Sequence, residues 1–145
     1  MPDWVNAGVA EYTKRMSKDY QLDLIEIPAA KRSSAVEVKR WKRDEAQRII
    51  ASIPNGAWTI ALDGHGREWT TQELAEQLAR WAQHTSELAF IIGGADGLHS
   101  TVLDQARERW SLSKLTLPHG LVRVIVAEQL YRAWSLLQGH PYHRA

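Results

Sequence analysis

The amino-acid sequence predicts an α/β domain with a largely parallel sheet flanked by helices. Two observations carry this. Short apolar runs of strand type, at 58–62 and 88–92, alternate with longer segments of helical periodicity. Turn residues close each run: Asp63-Gly64 after the first and the glycines from Gly93 after the second. Strands separated by helices pair most readily in parallel, because each helix supplies the crossover that parallel neighbours need.

The elements follow in chain order. Trp4, Val5, Gly8, Val9, Tyr12 and Met16 recur at helical spacing and predict an amphipathic N-terminal helix. Leu22, Leu24, Ile25 and Ile27 read as a short strand stopped by Pro28. Residues 34–53 read as a helix with Val36, Trp41, Ala46, Ile49, Ile50 and Ile53 apolar, and Pro54-Asn55-Gly56 as a turn. Trp58–Leu62 reads as a buried strand, leaving 63–69 as a loop. Thr70 or Thr71 caps the next helix; Thr70 stands three residues before Glu73, the spacing of a capping box, and Leu74, Leu78 and Trp81 continue the apolar face. Leu88–Ile92 is the next strand. Ser100 is the expected cap of a helix reaching residue 107, Trp110–Leu117 is short and mixed, and a last helix runs from about Pro118 to Leu137.

The 145 residues suit one domain spanning 1–145, with 44% hydrophobic and 24% charged residues. There is no cysteine, so disulfides and thiolate metal sites are excluded. The histidines at 65, 84 and 99 lack ligand spacing, and no metal is expected. No apolar stretch approaches the roughly 20 residues of a membrane span, and the N-terminus lacks a signal-peptide core. A cytoplasmic protein with no membrane partner is the expectation. The net charge of +1 is unevenly spread: residues 1–43 carry net +3, 44–112 net −5 and 113–145 net +3. Basic ends around an acidic middle suit a polyanion-facing surface, as does the run Lys31, Arg32, Lys39, Arg40, Lys42, Arg43; a solvated helix face is the plainer account.

Three stretches have the residue types for chemistry. In Ile92-Gly93-Gly94-Ala95-Asp96-Gly97, glycines after a strand either let a ligand approach the backbone or simply form a tight turn. It is neither a dinucleotide fingerprint nor a P-loop. In Leu115-Thr116-Leu117-Pro118-His119-Gly120, proline opens a helix and holds the preceding backbone extended. Such a loop can offer N–H and C=O groups to an adenine edge, or serve as an ordinary connection. The tail, Gly139-His140-Pro141-Tyr142-His143-Arg144, joins a proton carrier, an aromatic ring and a phosphate-gripping guanidinium; a frayed polar terminus is the alternative.

Taken in order, Pro2-Asp3-Trp4, Ile25-Glu26-Ile27-Pro28-Ala29, Leu62-Asp63, Ile92–Gly97, Trp110-Ser111-Leu112-Ser113, Leu115–His119, Leu121-Val122-Arg123, Glu128-Gln129-Leu130-Tyr131-Arg132-Ala133 and His140-Pro141-Tyr142-His143 resemble the ribosomal RNA large subunit methyltransferase H family. That family belongs to the SPOUT class of knotted methyltransferases, and the resemblance covers nearly the whole chain. It implies a C-terminal trefoil knot, which general topology would not suggest. It implies S-adenosyl-L-methionine as cofactor, held by Leu62, Gly94, Lys114, Leu115, Thr116, Leu117, Pro118 and His119. It implies a homodimer that methylates N3 of a pseudouridine in large-subunit ribosomal RNA on the assembled ribosome. Family members usually begin with a short apolar strand and a Gly-Lys turn before the Pro-Asp-Trp segment; here Met1 directly precedes Pro2-Asp3-Trp4, so that first strand is expected to be missing.

On this reading the catalytic residues are His143, Tyr142 and Arg144. His143 or Tyr142 assists removal of the N3 proton, while Arg144 and Arg123 hold a phosphate or base oxygen. Arg123, Arg132 and His140 contact RNA, though Arg132 is equally placed to pair with Glu128 four residues before it. Two other functions fit the same features: a non-catalytic RNA- or ribosome-binding dimer, and a SPOUT enzyme acting on transfer RNA.

Overall fold

A computed structural model describes residues 1–17, 20, 22, 24–27, 38–94 and 97–144. The chain divides into two compact units, each assembled from separate stretches. One comprises Met1–Leu24, Glu68–His84 and Leu112–Ala145; the other comprises Ile25–Arg67 and Thr85–Ser111.

The second unit holds the sheet. Its elements are α2 (Val38–Ser52), β1 (Trp58–Glu68, its last residue assigned to the other unit), β2 (Leu88–Ile91), α4 (Ser100–Gln105) and β3 (Glu108–Ser111); α1 and α3 belong to the first unit, below. The strand order is β2-β1-β3, and β1 pairs with β2 in parallel from Trp58 opposite Leu88 to Ala61 opposite Ile91. Ile60 and Ala61 are fully buried, as a central strand with partners on both sides requires. Ala46, Ile91 and Val102 form a core cluster, with Ile49, Ile50, Ile53 and Leu98 packed against it. The α2 residues in it, 46, 49, 50 and 53, follow the helical period, so one stripe of that helix covers β2. Pro54-Asn55-Gly56 is the expected turn: Ala57 N–H donates to the Pro54 carbonyl and Gly56 takes φ 82°.

Three expectations are corrected in this unit. The strand does not stop at Asp63-Gly64; β1 continues to Glu68, so 63–68 is not a loop. Gly66 explains why: a Cβ there would stand 2.5 Å from the Arg109 carbonyl carbon, so this glycine admits the β3 backbone and does not break the strand. The cap of α4 is His99, not Ser100; its Nδ1 accepts the Thr101 N–H at 3.1 Å, the task of a cap oxygen. That helix also ends at Gln105, short of residue 107.

The first unit is helical. Helix α5 (His119–Leu137) is packed by α1 (Asp3–Thr13) and by α3 (Thr71–Ala82), and a 3-10 turn, Pro141–Arg144, follows it. Val5, Val9 and Ala127 form the α1–α5 core, with Tyr12, Leu22 and Val124 against it. Gly8 lies on that seam, where a Cβ would meet Val124 at 3.0 Å; glycine lets the two helices close up. Trp4 is 55% exposed, against the inward face expected of it. At about 100° per residue it falls to the edge of the stripe centred on Val5, Val9 and Tyr12. Met16 lies beyond the helix end.

Helix α3 begins as expected. The Thr70 hydroxyl accepts the Glu73 N–H at 3.1 Å, and the Glu73 carboxylate accepts the Thr70 N–H at 2.9 Å. Leu74 and Trp81 are buried, and Trp69 meets Trp81 edge-on at 5.7 Å. Pro118 flanks the start of α5 with an extended ψ of 142°. The far end closes in a Schellman motif: Gly139 takes φ 69°, His140 N–H donates to the Ser135 carbonyl and Gly139 N–H to the Leu136 carbonyl.

The strand expected over 22–27 does not form at its described positions, and Leu24 and Ile25 are exposed. An apolar run becomes a strand only when a neighbour offers a ladder, and no described strand pairs with it. Pro28, Lys31, Arg32 and the start of the helix expected at 34 lie outside the described residues, as do Ala95 and Asp96.

Candidate functional site

The β1–β2 ladder ends at Ala61 and Ile91, and Leu62 and Gly94 follow just beyond it. Parallel sheets present ligand-binding loops at this carboxyl end. Gly97 N–H donates to the Gly94 carbonyl at 3.0 Å, and Gly97 takes φ 74°. At Gly93 a Cβ would stand 2.8 Å from the Gly97 carbonyl carbon, so this glycine is needed by the turn itself. At Gly94 nothing among the described residues lies within 4 Å of a Cβ position. Gly94 therefore faces open space, and the turn does not account for the absence of its side chain.

In the helical unit, Lys114, Leu115, Thr116, Leu117 and Pro118 form an irregular loop before α5, and His119 is its first residue. The Leu115 N–H is held by the Ser113 hydroxyl at 3.0 Å, yet the Leu115 side chain is 74% exposed. An apolar side chain so exposed, on a loop tied down locally, is a surface that a flat apolar ligand can cover.

The tail is not frayed. Tyr142 packs edge-on against Tyr131 with centroids 4.6 Å apart, and the Arg132 guanidinium lies over the Tyr142 ring at 4.8 Å. The Tyr142 hydroxyl donates to Glu128 Oε1 at 3.2 Å. Burial, then the Glu128 charge, pushes the Tyr142 phenol up to about 12. It is a neutral hydrogen-bond donor across the neutral range. The Tyr142 N–H donates to His140 Nδ1 at 3.3 Å.

Arg132 and Glu128 pair as their spacing allows: Arg132 Nε donates to Glu128 Oε1 at 2.7 Å, in a setting where their side chains are 22% and 17% exposed. The other oxygen, Oε2, accepts from Gln129 Nε2 at 2.9 Å, and Gln129 Oε1 accepts from the Thr71 hydroxyl at 2.7 Å. One carboxylate thus joins α5, its neighbour on α3 and the tail. Arg123 is half-buried on the first turns of α5, and the backbone of His143 and Arg144 completes the 3-10 turn. The basic run is divided between Lys31 and Arg32, outside the described residues, and Lys39, Arg40, Lys42 and Arg43 on α2 of the sheet unit.

Residues 1–143 match the family described as "Predicted SPOUT methyltransferase". The chain belongs to the SPOUT methyltransferases. Proteins named ribosomal RNA large subunit methyltransferase H are similar along nearly the whole length. The one from Hydrogenovibrio crunogenus is 51% identical over 144 residues, covering 99% of this chain and 92% of that protein. That from Methylococcus capsulatus is 49% identical, with 99% and 93% covered. That from Nitrosococcus oceani is 46% identical over 145 residues, with 100% and 92% covered. In this SPOUT chain, Glu128 was expected only as a motif residue and an ion-pair partner of Arg132, Gln129 only as a motif residue and Thr71 only as a possible helix cap; none was expected in a shared network. One signal was available: Glu128 is the single acidic residue in 113–145.

Proposed function

We propose that this SPOUT enzyme uses S-adenosyl-L-methionine to methylate N3 of a pseudouridine in large-subunit ribosomal RNA, on the assembled ribosome, as a cytoplasmic homodimer with a C-terminal trefoil knot. The observation that carries this reading is the 46–51% identity, over nearly the full chain, to proteins of the ribosomal RNA large subunit methyltransferase H name. The chemistry of the described residues agrees with it.

Leu62, Gly94, Lys114, Leu115, Thr116, Leu117, Pro118 and His119 would hold the cofactor. In the sheet unit Gly94 leaves space beside its backbone, and in the helical unit Leu115 presents exposed apolar surface; each is a feature that an adenosyl group can use. When bound, the cofactor supplies an electrophilic methyl on a sulfonium. The protein's own tasks are positioning and removal of a proton. The N3–H bond must break as the N3–methyl bond forms, and His143 takes that proton. Tyr142, neutral and donating to Glu128, orders the tail. Arg144 and Arg123 hold phosphate or a base oxygen, and His140 and Arg132 border the RNA.

Radiolabelled methyl transfer tests the assignment, using ribosomes purified from a strain lacking the activity. Label is expected in large-subunit RNA of intact ribosomes and not in transfer RNA. Label entering free transfer RNA instead would move the assignment to that substrate. No label, together with no heat on calorimetric titration of the cofactor, would leave a binding-only dimer.

A further inference from the structure

Glu128 sits at the centre of a closed hydrogen-bond network. Oε1 accepts from Arg132 Nε at 2.7 Å and from the Tyr142 hydroxyl at 3.2 Å, and Oε2 accepts from Gln129 Nε2 at 2.9 Å. Gln129 in turn accepts from the Thr71 hydroxyl at 2.7 Å. Both carboxylate oxygens are engaged, so Glu128 is poorly placed to exchange protons with a substrate. It is well placed to hold Tyr142.

Tyr142 is the only one of the tail's residues 140–142 whose side chain is both aromatic and part-buried; His140 and Pro141 are exposed. It occupies the second position of the 3-10 turn Pro141–Arg144, directly before His143 and Arg144. Tyr131 on one side and Arg132 over the ring confine it, and the hydroxyl bond to Glu128 fixes its tip. A ring held at body and tip fixes the backbone that carries it. The Schellman close at Gly139 fixes that backbone from the other side.

We propose that Glu128 is a positioning residue for methyl transfer: through the Tyr142 hydroxyl it latches the C-terminal turn onto α5 and thereby sets where His143 and Arg144 act. The proposal rests on the methylation reading above. The role is one of geometry, and its loss lowers the rate of transfer while leaving cofactor binding intact.

Three variants test it: Tyr142→Phe, which keeps the ring and loses the hydroxyl; Glu128→Gln, which keeps the shape and loses the charge; and both together. Three quantities are measured on the full-length protein: single-turnover methyl transfer to ribosomes, cofactor affinity by calorimetry, and amide hydrogen exchange of the tail. A lost hydrogen bond to a charged group corresponds to about tenfold or more in rate. Each single variant is expected to slow transfer by at least that factor, with cofactor Kd within about twofold of wild type and faster exchange in the tail. The double variant should be no slower than the worse single, because both act on the same bond, one by removing its donor and the other by neutralising its acceptor. Wild-type rates in both singles, or losses that multiply in the double, would overturn the latch. So would a Kd that weakens in step with the rate, since that marks general damage to the fold. If the wild type itself transfers no methyl group to ribosomes, the methylation reading fails instead, and the positioning role falls with it.

Discussion

Gly66 on β1 lies against the backbone of Arg109 on β3, so closely that a Cβ would stand 2.5 Å from the Arg109 carbonyl carbon and 2.6 Å from the Trp110 nitrogen. Backbone atoms cannot step aside as a flexible side chain would. Gly66→Ala is therefore expected to destabilise the protein by about 3 kcal/mol, the upper end for overpacking. Gly64→Ala, two residues away with nothing within 4 Å, should cost under about 1 kcal/mol. Urea unfolding of the two variants checks this, and equal midpoints would show that the strands separate more easily than their packing implies.

The capping box at the start of α3 offers a second test. Thr70→Ala removes the acceptor for the Glu73 N–H and should lower stability by about 1 kcal/mol, whereas Thr70→Asp should retain most of it. Thermal unfolding measures both. A Thr70→Ala protein that melts with the wild type would mean that burial of Leu74 and Trp81 alone determines where this helix begins.

Tyr142 makes stability depend on alkaline pH. Its folded value is raised from 10.0 to about 12 by burial first and by the Glu128 charge second. Between these values the unfolded phenol has lost its proton while the folded one keeps it. The stabilising contribution is thus complete below pH 10 and falls away as pH rises toward about 12. Ultraviolet titration should show one of the four tyrosines ionising late, and Tyr142→Phe should remove that late component. A late component that persists in the variant would assign it to another ring.

Gly94 separates a folding role from a binding role. Its Cβ position is open, so Gly94→Ala should fold with an unchanged melting temperature. If cofactor occupies that space, affinity for it should fall about tenfold, the equivalent of 1.4 kcal/mol or so. Gly97→Ala is the contrast: φ 74° strains any other residue, and its melting temperature should fall. Undiminished cofactor affinity in Gly94→Ala would remove Gly94 from the site.

His143→Ala should slow single-turnover methyl transfer about a hundredfold, within the range for a lost proton acceptor, and leave cofactor affinity within twofold or so. An unchanged single-turnover rate in the variant would dismiss His143 as the acceptor.

Thr70 and Glu73 could be read together because three residues separate them, and the apolar stripe at 46, 49, 50 and 53 because one helix carries it. The Gly93–Gly97 turn and the Pro118 opening of α5 were legible for the same reason. His99 was missed as a cap because a ring nitrogen replaces the usual side-chain oxygen. Asp63-Gly64 was misread as a break because the reason for the nearby glycine, the Arg109 backbone, is 43 positions away in the chain (109 against 66). The run at 22–27 has strand composition, but strand formation is decided by a partner that composition does not reveal.

The sequence by itself determined the local structure and the family: caps, turns, helix stripes and a motif order shared with the SPOUT methyltransferases. Those features depend on groups within a few residues of one another, or on identities that survive comparison. Tertiary structure alone decided what Glu128 holds. Its network reaches Tyr142 across 14 positions and, through Gln129, Thr71 across 58. Such contacts exist only after the packing of α3 and the C-terminal turn on α5 has brought separate stretches of chain together.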